Sequence, residues 1–418
     1  MEASITETAV QESIANRYNL IHGAGASDAF QKAFDFNSAD LARQMNCYPY
    51  YQTIDQNEGP QAIIDGKTCI MLGSNNYLGL TIDQRVREAG ISALKNFGPS
   101  LTGSRLLNGT HKLHEQLEDE LAKFLNKEAA LVFTTGYQAN IGVTTALVGK
   151  NDYLIMDRFN HASITDGAGL AKGHKVYYEH NDMQSLEKTL QSIPHDAGKI
   201  IMIDGVFSME GDLADLPSIT KLARKYNARV IVDDAHGVGV VGEAGRGTAN
   251  HFNLENETDL IVGTFSKALA SVGGFVAGDK KVIDFIRHFG RSILFSASLP
   301  PASVASALEA LRIMQIEPER VSRLSNNAEY MREQLQQLGF NIGHTTTPII
   351  PIIVGNDMKA LMLWRDLLNA GVYVNSVIYP AVAKNQALLR TSYTSEHTKE
   401  HLDKALEIFS KMKSKHNF

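Results

Sequence analysis

Two cysteines, Cys47 and Cys69, are all that the 418 residues contain. So few exclude a disulfide framework or a cysteine-bound metal cluster, and fit a reducing cytoplasm. Long apolar runs are missing as well. IGVTTALVG (141–149) is among the longest weakly polar stretches, well short of the ~20 residues that span a bilayer. The opening MEASITETAVQES is acidic and polar, so no secretory leader is expected. Basic blocks are absent too: the formal net charge is −6, and no lysine–arginine cluster offers the face that nucleic acid requires. His111 and His114 are the closest-spaced imidazoles but lack an acidic or cysteine partner at zinc spacing, so no metal is expected.

What is present is an ordinary folded composition, 44% hydrophobic and 21% charged, in a chain longer than one core usually holds. Three parts are expected: an N-terminal arm over 1–45, a large domain over 46–300 and a smaller α+β domain over 301–418. The arm carries few patterns apart from a helical stretch at Ala39–Gln44 and a break at GAGAS (23–27). From Thr68 onward, short apolar runs alternate with amphipathic segments. The runs are CIMLG (69–73), AALVF (129–133), YLIMD (153–157), KIIMID (199–204), RVIVDD (229–234) and DLIVGTF (259–265). Nearly continuous and often β-branched, they predict parallel strands covered on both faces, hence an α/β architecture. After SLPP (298–301) the order changes to two long helices, near 302–316 and 318–338. Short strands and two further helices, near 357–370 and 396–414, then close the chain.

Polar groups gather at the ends of the apolar runs, where open α/β sheets bind ligands. GTFSK (263–267) delivers a lysine into a hydroxyl- and glycine-rich turn. A Schiff-base lysine needs a confined, partly apolar site that lowers its pKa, although a lone lysine after a strand is usually solvated. DDAHG (233–237) offers Asp233 to hold a pyridine nitrogen protonated and His236 to bond a ring hydroxyl; capping acids and a turn histidine are the ordinary alternative. VFTTGYQAN (132–140) reads as strand, turn and helix start, with Thr135, Gly136 and Tyr137 as a phosphate cradle or simply a glycine turn. NHAS (160–163) places His161 to stack on a flat ring, and FSMEGD (207–212) brings Ser208. Five such segments in order, each at its own strand end, point to pyridoxal 5'-phosphate.

On these motifs the chain resembles the α-oxoamine synthases, fold-type I pyridoxal-phosphate enzymes. The resemblance covers roughly 46–418 and includes MLGSNNYLGLT (71–81), SRLLNGTHKLHEQLE (104–118), DGVFSMEGD (204–212), VDDAHGVGVVGEAGRGT (232–248) and GTFSKALASVGGFVAGD (263–279). T-F-S-K with FSASLPPASVA (295–305) is similar to bacterial serine palmitoyltransferases, whereas members using glycine or alanine commonly show T-L-G-K.

The resemblance implies that Lys267 carries the cofactor and moves protons at the substrate α-carbon. Asp233 pairs with the ring nitrogen, and His161 stacks on the ring and touches the substrate carboxylate. Ser208 and His236 meet the ring hydroxyl side; Thr264 and Ser266 join Gly136 and Tyr137 at the phosphate. A homodimer with shared active sites is implied, Ser296 and Ala297 reaching the neighbouring subunit's phosphate. Asn75 and Arg390 match positions that hold the amino-acid carboxylate, and a forked guanidinium suits that task. The expected reaction is decarboxylating condensation of L-serine with a long-chain acyl thioester, on coenzyme A or a carrier protein. The product is 3-ketodihydrosphingosine when the acyl group is palmitoyl. Use of glycine or alanine with another acyl group is the alternative. The expected location is the cytoplasm, with peripheral contact at the inner membrane open.

Overall fold

In the computed structural model, which describes residues 11–14 and 28–417, a seven-stranded sheet forms the centre. Its strands are β1 (Ala129–Phe133), β2 (Tyr153–Asp157), β3 (His174–Tyr178), β4 (Lys199–Asp204), β5 (Arg229–Asp233), β6 (Leu260–Thr264) and β7 (Gly274–Gly278). They lie in the order β1-β7-β6-β5-β4-β2-β3, with β7 antiparallel to β1 and β6 and the β6–β5–β4–β2–β3 neighbours parallel.

Continuous apolar runs are explained by burial on both faces. Ile201, Ile203, Val230, Val232 and Ile261 face one core, shared with Leu117, Phe207 and Leu311. The alternate residues Met202, Ile231 and Val262 face a second core with Val143 and Ile164. Two strands escaped the apolar-run criterion. β3, HKVYY, is an edge strand with two exposed residues, and β7, GFVAG, reads as a glycine turn until its neighbours are known.

The run at 69–73 is corrected by the structure. Lys67–Met71 stays out of the central sheet, pairing antiparallel with Gln61–Ile64 and parallel with Val372–Tyr373. Its Ile70, followed by Leu72, packs into a C-terminal core with Ile350, Trp364 and Phe409. The segment counted with the large domain from residue 46 therefore joins the C-terminal layer by strand pairing. Conversely, the helix Pro301–Ile316 packs Val304, Leu308 and Leu311 into the large-domain core. The remaining C-terminal sheet is antiparallel: β8 (Ile349–Gly355), β9 (Asn375–Val377) and β10 (Ala387–Ser392), with β10 central. Helices Glu319–Gln337, Asp357–Asn369 and Lys399–His416 accompany it. In the arm, Ser38–Gln44 is helical and Ala42 packs on Met358 and Leu361; GAGAS lies outside the described residues. Among the described residues no helix is long and apolar enough to cross a membrane, and no acid–histidine–cysteine group could hold a metal ion.

One contact ties sheet to site. A Cβ on Gly274 would lie 2.5 Å from the backbone N and Cα of Gly136, the first residue of the helix Gly136–Leu147. Backbone cannot yield as a side chain can. Gly274→Ala is expected to destabilise by about 1–3 kcal/mol, the range for overpacking, and to loosen that helix start. Denaturant unfolding with an unchanged midpoint would show that the strand and helix separate freely.

Candidate active site

Parallel strands end on one side of a sheet, so β4, β5 and β6 deliver Asp204, Asp233 and Thr264 to a common edge. Turns beyond β1, β2 and β6 add Gly136, His161 and Lys267, and together these groups line a cavity of ≈ 290 Å³.

The Lys267 amine is enclosed there. Burial lowers its pKa to about 8, although Asp233 and Asp204 pull the other way. Asp233 is buried; its Oδ1 accepts from the Ala235 amide at 3.0 Å and its Oδ2 from Asn140 Nδ2 at 2.6 Å. Asp204, its neighbour on β4, is lifted well above the usual carboxylate range by burial and then by the Asp233 charge. Asp204 Oδ2 accepts from the His161 amide at 3.1 Å, while its Oδ1 and Asn140 Oδ1 are buried with no partner among the described residues.

His161 caps the helix Ala162–Leu170. Its Nδ1 accepts from the Ser163 amide at 3.3 Å and lies 2.7 Å from the Ser163 hydroxyl. With Nδ1 accepting, the hydroxyl donates to it and the ring proton sits on Nε2. Ser163 Oγ in turn accepts from Asn140 Nδ2 at 2.8 Å, so one chain of bonds runs from His161 through Ser163 and Asn140 to Asp233. Desolvation lowers the His161 pKa against the pull of Asp233, and burial takes His236 well below the ordinary imidazole value. His236 Nδ1 lies 2.6 Å from the Tyr77 hydroxyl.

At the other end, Thr135 caps Gly136–Leu147, its hydroxyl accepting from the Gln138 amide at 3.1 Å. The helix start leaves free N–H groups facing the Thr264 and Ser266 hydroxyls, which are 2.8 Å apart. A Cβ on Gly136 would sit 2.9 Å from Thr264 Cβ, so glycine permits the approach. Tyr137 donates to Asp166 Oδ2 at 2.6 Å.

Arg390 on β10 is buried beside the cavity. Nε donates to the Ser208 carbonyl at 2.5 Å, Nη1 to Ser392 Oγ at 3.1 Å and Nη2 to Asn75 Oδ1 at 3.0 Å. These bonds engage three of its five N–H donors. Asn75 and Lys267 border one adjoining open cleft.

Most residues named from sequence therefore converge: Thr135, Gly136, Tyr137, His161, Asp233, His236, Thr264, Ser266 and Lys267 line the cavity. Ser208 does not line it, and engages through its carbonyl on Arg390. Ser296 and Ala297 lie outside, bonded to the cradle turn: Gln138 Nε2 donates to Ser296 Oγ at 3.2 Å and Thr134 Oγ1 to the Ala297 carbonyl at 2.7 Å. Sequence reading missed Asn140, Ser163, Tyr77 and Asp204. Asn140 stands one helical turn after Gly136, a spacing that puts both on one face and signals the role in retrospect.

The buried amine makes a prediction. Reductive alkylation of the cofactor-free chain with a small aldehyde should modify Lys267 with a half-maximal rate near pH 8, while exposed lysines respond near ~10.4. The neutral amine is the nucleophile, so reactivity rises with pH. Peptide mapping that finds Lys267 no faster than surface lysines at pH 8 would contradict the geometry.

Residues 67–409 match the family described as aminotransferase class I and II. A serine palmitoyltransferase of Sphingobacterium spiritivorum is 46% identical over 372 residues, 89% of this chain and 93% of that protein. An 8-amino-7-oxononanoate synthase of Thermoanaerobacter pseudethanolicus is 46% identical over 371 residues, 88% and 94% of the two chains. Among solved structures, a serine palmitoyltransferase from S. paucimobilis with bound PLP and myriocin superposes with a TM-score of 0.91 at 36% identity, covering 93% of this chain and 99% of that one. Fold, strand-end cavity and relatives agree: the chain has the fold-type I transferase architecture and belongs to the aminotransferase class I and II family, among its α-oxoamine synthases.

Proposed function

We propose that the chain condenses L-serine with a long-chain acyl thioester, palmitoyl-CoA, releasing carbon dioxide and the thiol to give 3-ketodihydrosphingosine. The observation that carries this reading is one cavity that joins a buried low-pKa amine, a buried carboxylate and a helix-start cradle, with Arg390 alongside. Relatives of 44–49% identity named serine palmitoyltransferase support it.

The cofactor is pyridoxal phosphate, and the residues fit it. Gly136 leaves room beside Thr264 for a phosphate, and Asp233 is set for a ring nitrogen. Asn140 Oδ1 and Asp204 Oδ1 are buried and have no hydrogen-bond partner among the described residues. When bound, this group supplies an electron sink for negative charge developing at the amino acid's α-carbon. Lys267, whose pKa lies at about 8, would hold the cofactor, and its amine when neutral would serve as the base at the substrate α-carbon. Asp233, fixed by Asn140, would hold a proton on the ring nitrogen. The His161 Nε2–H is a donor for the substrate carboxylate or the thioester oxygen, and its bond to Ser163 fixes ring orientation. Arg390 and Asn75 would bind the carboxylate, with Ser208 holding Arg390 through its carbonyl; His236 would serve the hydroxyl side of the ring, and Thr264, Ser266 and Tyr137 would complete the phosphate site.

The working form in this reading is a homodimer, in which Ser296 and Ala297 approach the neighbouring subunit's phosphate. Exposed Leu106, Leu107 and Phe295 support an apolar contact there. The two cysteines, both buried, suit the cytoplasm, with peripheral contact at the inner membrane as the site of lipid exchange. Alanine with a pimeloyl thioester is the second reading, favoured by the 46% identity to an 8-amino-7-oxononanoate synthase.

Product analysis with serine, alanine and glycine, each against palmitoyl, pimeloyl and acetyl thioesters, separates the two. Serine with palmitoyl-CoA should give the dominant product; alanine with a pimeloyl thioester outrunning it would transfer the chain to the second reading. Asn140→Ala should lower kcat by about 10–100-fold with a smaller change in KM, because a hydrogen bond to a charged group contributes about 1.5–3 kcal/mol. Asp233→Asn should fold and bind cofactor yet lose serine α-proton exchange, followed by deuterium wash-in. Exchange at the parent rate would remove Asp233 from the ring nitrogen.

A further inference from the structure

Outside the cavity, one histidine meets a carboxylate at both ring nitrogens. His180, just beyond β3, has Nδ1 3.0 Å from Asp157 Oδ1 and Nε2 3.2 Å from Asp212 Oδ2. A neutral imidazole has a single N–H and can donate to only one of them, so this geometry calls for the imidazolium. The ring cannot swing away: it stacks on Phe159 at 4.4 Å between centroids and meets the edge of Phe207 at 4.5 Å. Asn181 reinforces the same pair, its amide donating to Asp157 Oδ2 at 2.8 Å and its Nδ2 to Asp212 Oδ2 at 2.9 Å.

Each carboxylate governs a turn that leads to the site. Asp157 ends β2 and opens the turn to His161; it accepts from the Phe159 amide at 2.8 Å, and the Asn160 amide donates to its carbonyl at 3.2 Å. Asp212 closes the turn that follows β4: the Phe207 amide donates to its carbonyl at 3.0 Å. Inside that turn lies Ser208, whose carbonyl holds Arg390 Nε. The two turns spring from different strands, and His180 bridges them.

We propose that His180 is a positioning residue: its imidazolium, held between Asp157 and Asp212, locks the His161 turn against the turn that fixes Arg390. The spacing between the two groups that receive the amino-acid carboxylate is thereby set. The inference rests on the proposed function for what these groups bind, and on the structure for the bridge itself.

The charge is durable. Burial opposes it, yet Asp157 and Asp212 outweigh burial and raise the His180 pKa to about 10. The other ionisable groups around it are Arg158, paired with Glu179 at 2.7 Å, Glu210 in the Asp212 turn, and His344 across the cleft. A histidine raised in the folded state contributes stability that is complete below its ordinary value of ~6.5 and lost as pH rises through the folded value. The bridge is therefore intact across the neutral range and opens only toward pH 10.

The test uses His180→Phe, and the pair His180→Gln with Asp212→Asn, which keeps side-chain hydrogen bonds across the bridge without the ionic pair. Histidine-labelled wild type, with and without cofactor, should retain one imidazolium nitrogen signal at pH 8.5 that His180→Phe lacks. In the holoenzyme, His180→Phe should weaken amino-acid binding by about 10-fold or more, read from the cofactor absorbance change, a loss typical of one charged hydrogen bond. Retention of pyridoxal phosphate should stay near the parent value, and the double variant should recover most of the amino-acid affinity. A neutral His180 at pH 8.5 would overturn the proposal. So would a variant that loses thermal stability while binding amino acid as the parent does, or a folded double variant without recovery. The titration uses whichever of serine, alanine and glycine the wild type binds, so an error in the substrate reading appears in the wild type and leaves the test of His180 intact.

Discussion

Lys267 and Asp233 carry opposite charges when both are ionised, yet they are confined together in one cavity at the edge of adjacent parallel strands. Removing an amine from water disfavours its charged form, and the nearby carboxylates restore part of what is lost. The balance leaves the amine titrating near pH 8, where it can act as nucleophile and base without help from a metal. The surrounding architecture serves that balance. The sheet holds the strand ends in register, and the two cores exclude water from both of its faces.

Close backbone approach is the second requirement. The antiparallel strand β7 runs beneath the helix Gly136–Leu147, and no side chain separates Gly274 from Gly136. Thr264 comes as near from the other side. A phosphate can then reach the helix N–H groups and the Thr264–Ser266 hydroxyls together, using backbone donors that lose no side-chain entropy on binding.

Order behind the reacting groups comes from chains of hydrogen bonds rather than single contacts. His161 is fixed through Ser163 and Asn140 to Asp233, so ring orientation and carboxylate position are one mechanical unit. Arg390 is fixed by Ser208, Ser392 and Asn75, drawn from three segments of the chain. The His180 bridge spans the turns that carry those two units, through Asp157 and Asp212.

How much of this was legible in the sequence follows from where the determining interactions lie. Apolar runs such as KIIMID and RVIVDD determined the parallel strands by themselves, because burial on both faces leaves no polar alternation to confuse the reading. GTFSK, DDAHG and NHAS marked the strand ends, since a polar or glycine residue after such a run has nowhere else to be. The tertiary structure alone decided the rest. CIMLG looks like any other buried run, and only its pairing with Gln61–Ile64 and Val372–Tyr373 removes it from the central sheet. GFVAG becomes a strand only between β1 and β6. Asn140 and His180 are ordinary residues in sequence, because their partners are 93 residues away at Asp233, and 23 and 32 residues away at Asp157 and Asp212. Local propensity and periodicity report on neighbours along the chain, whereas a buried polar group is defined by what folding brings against it.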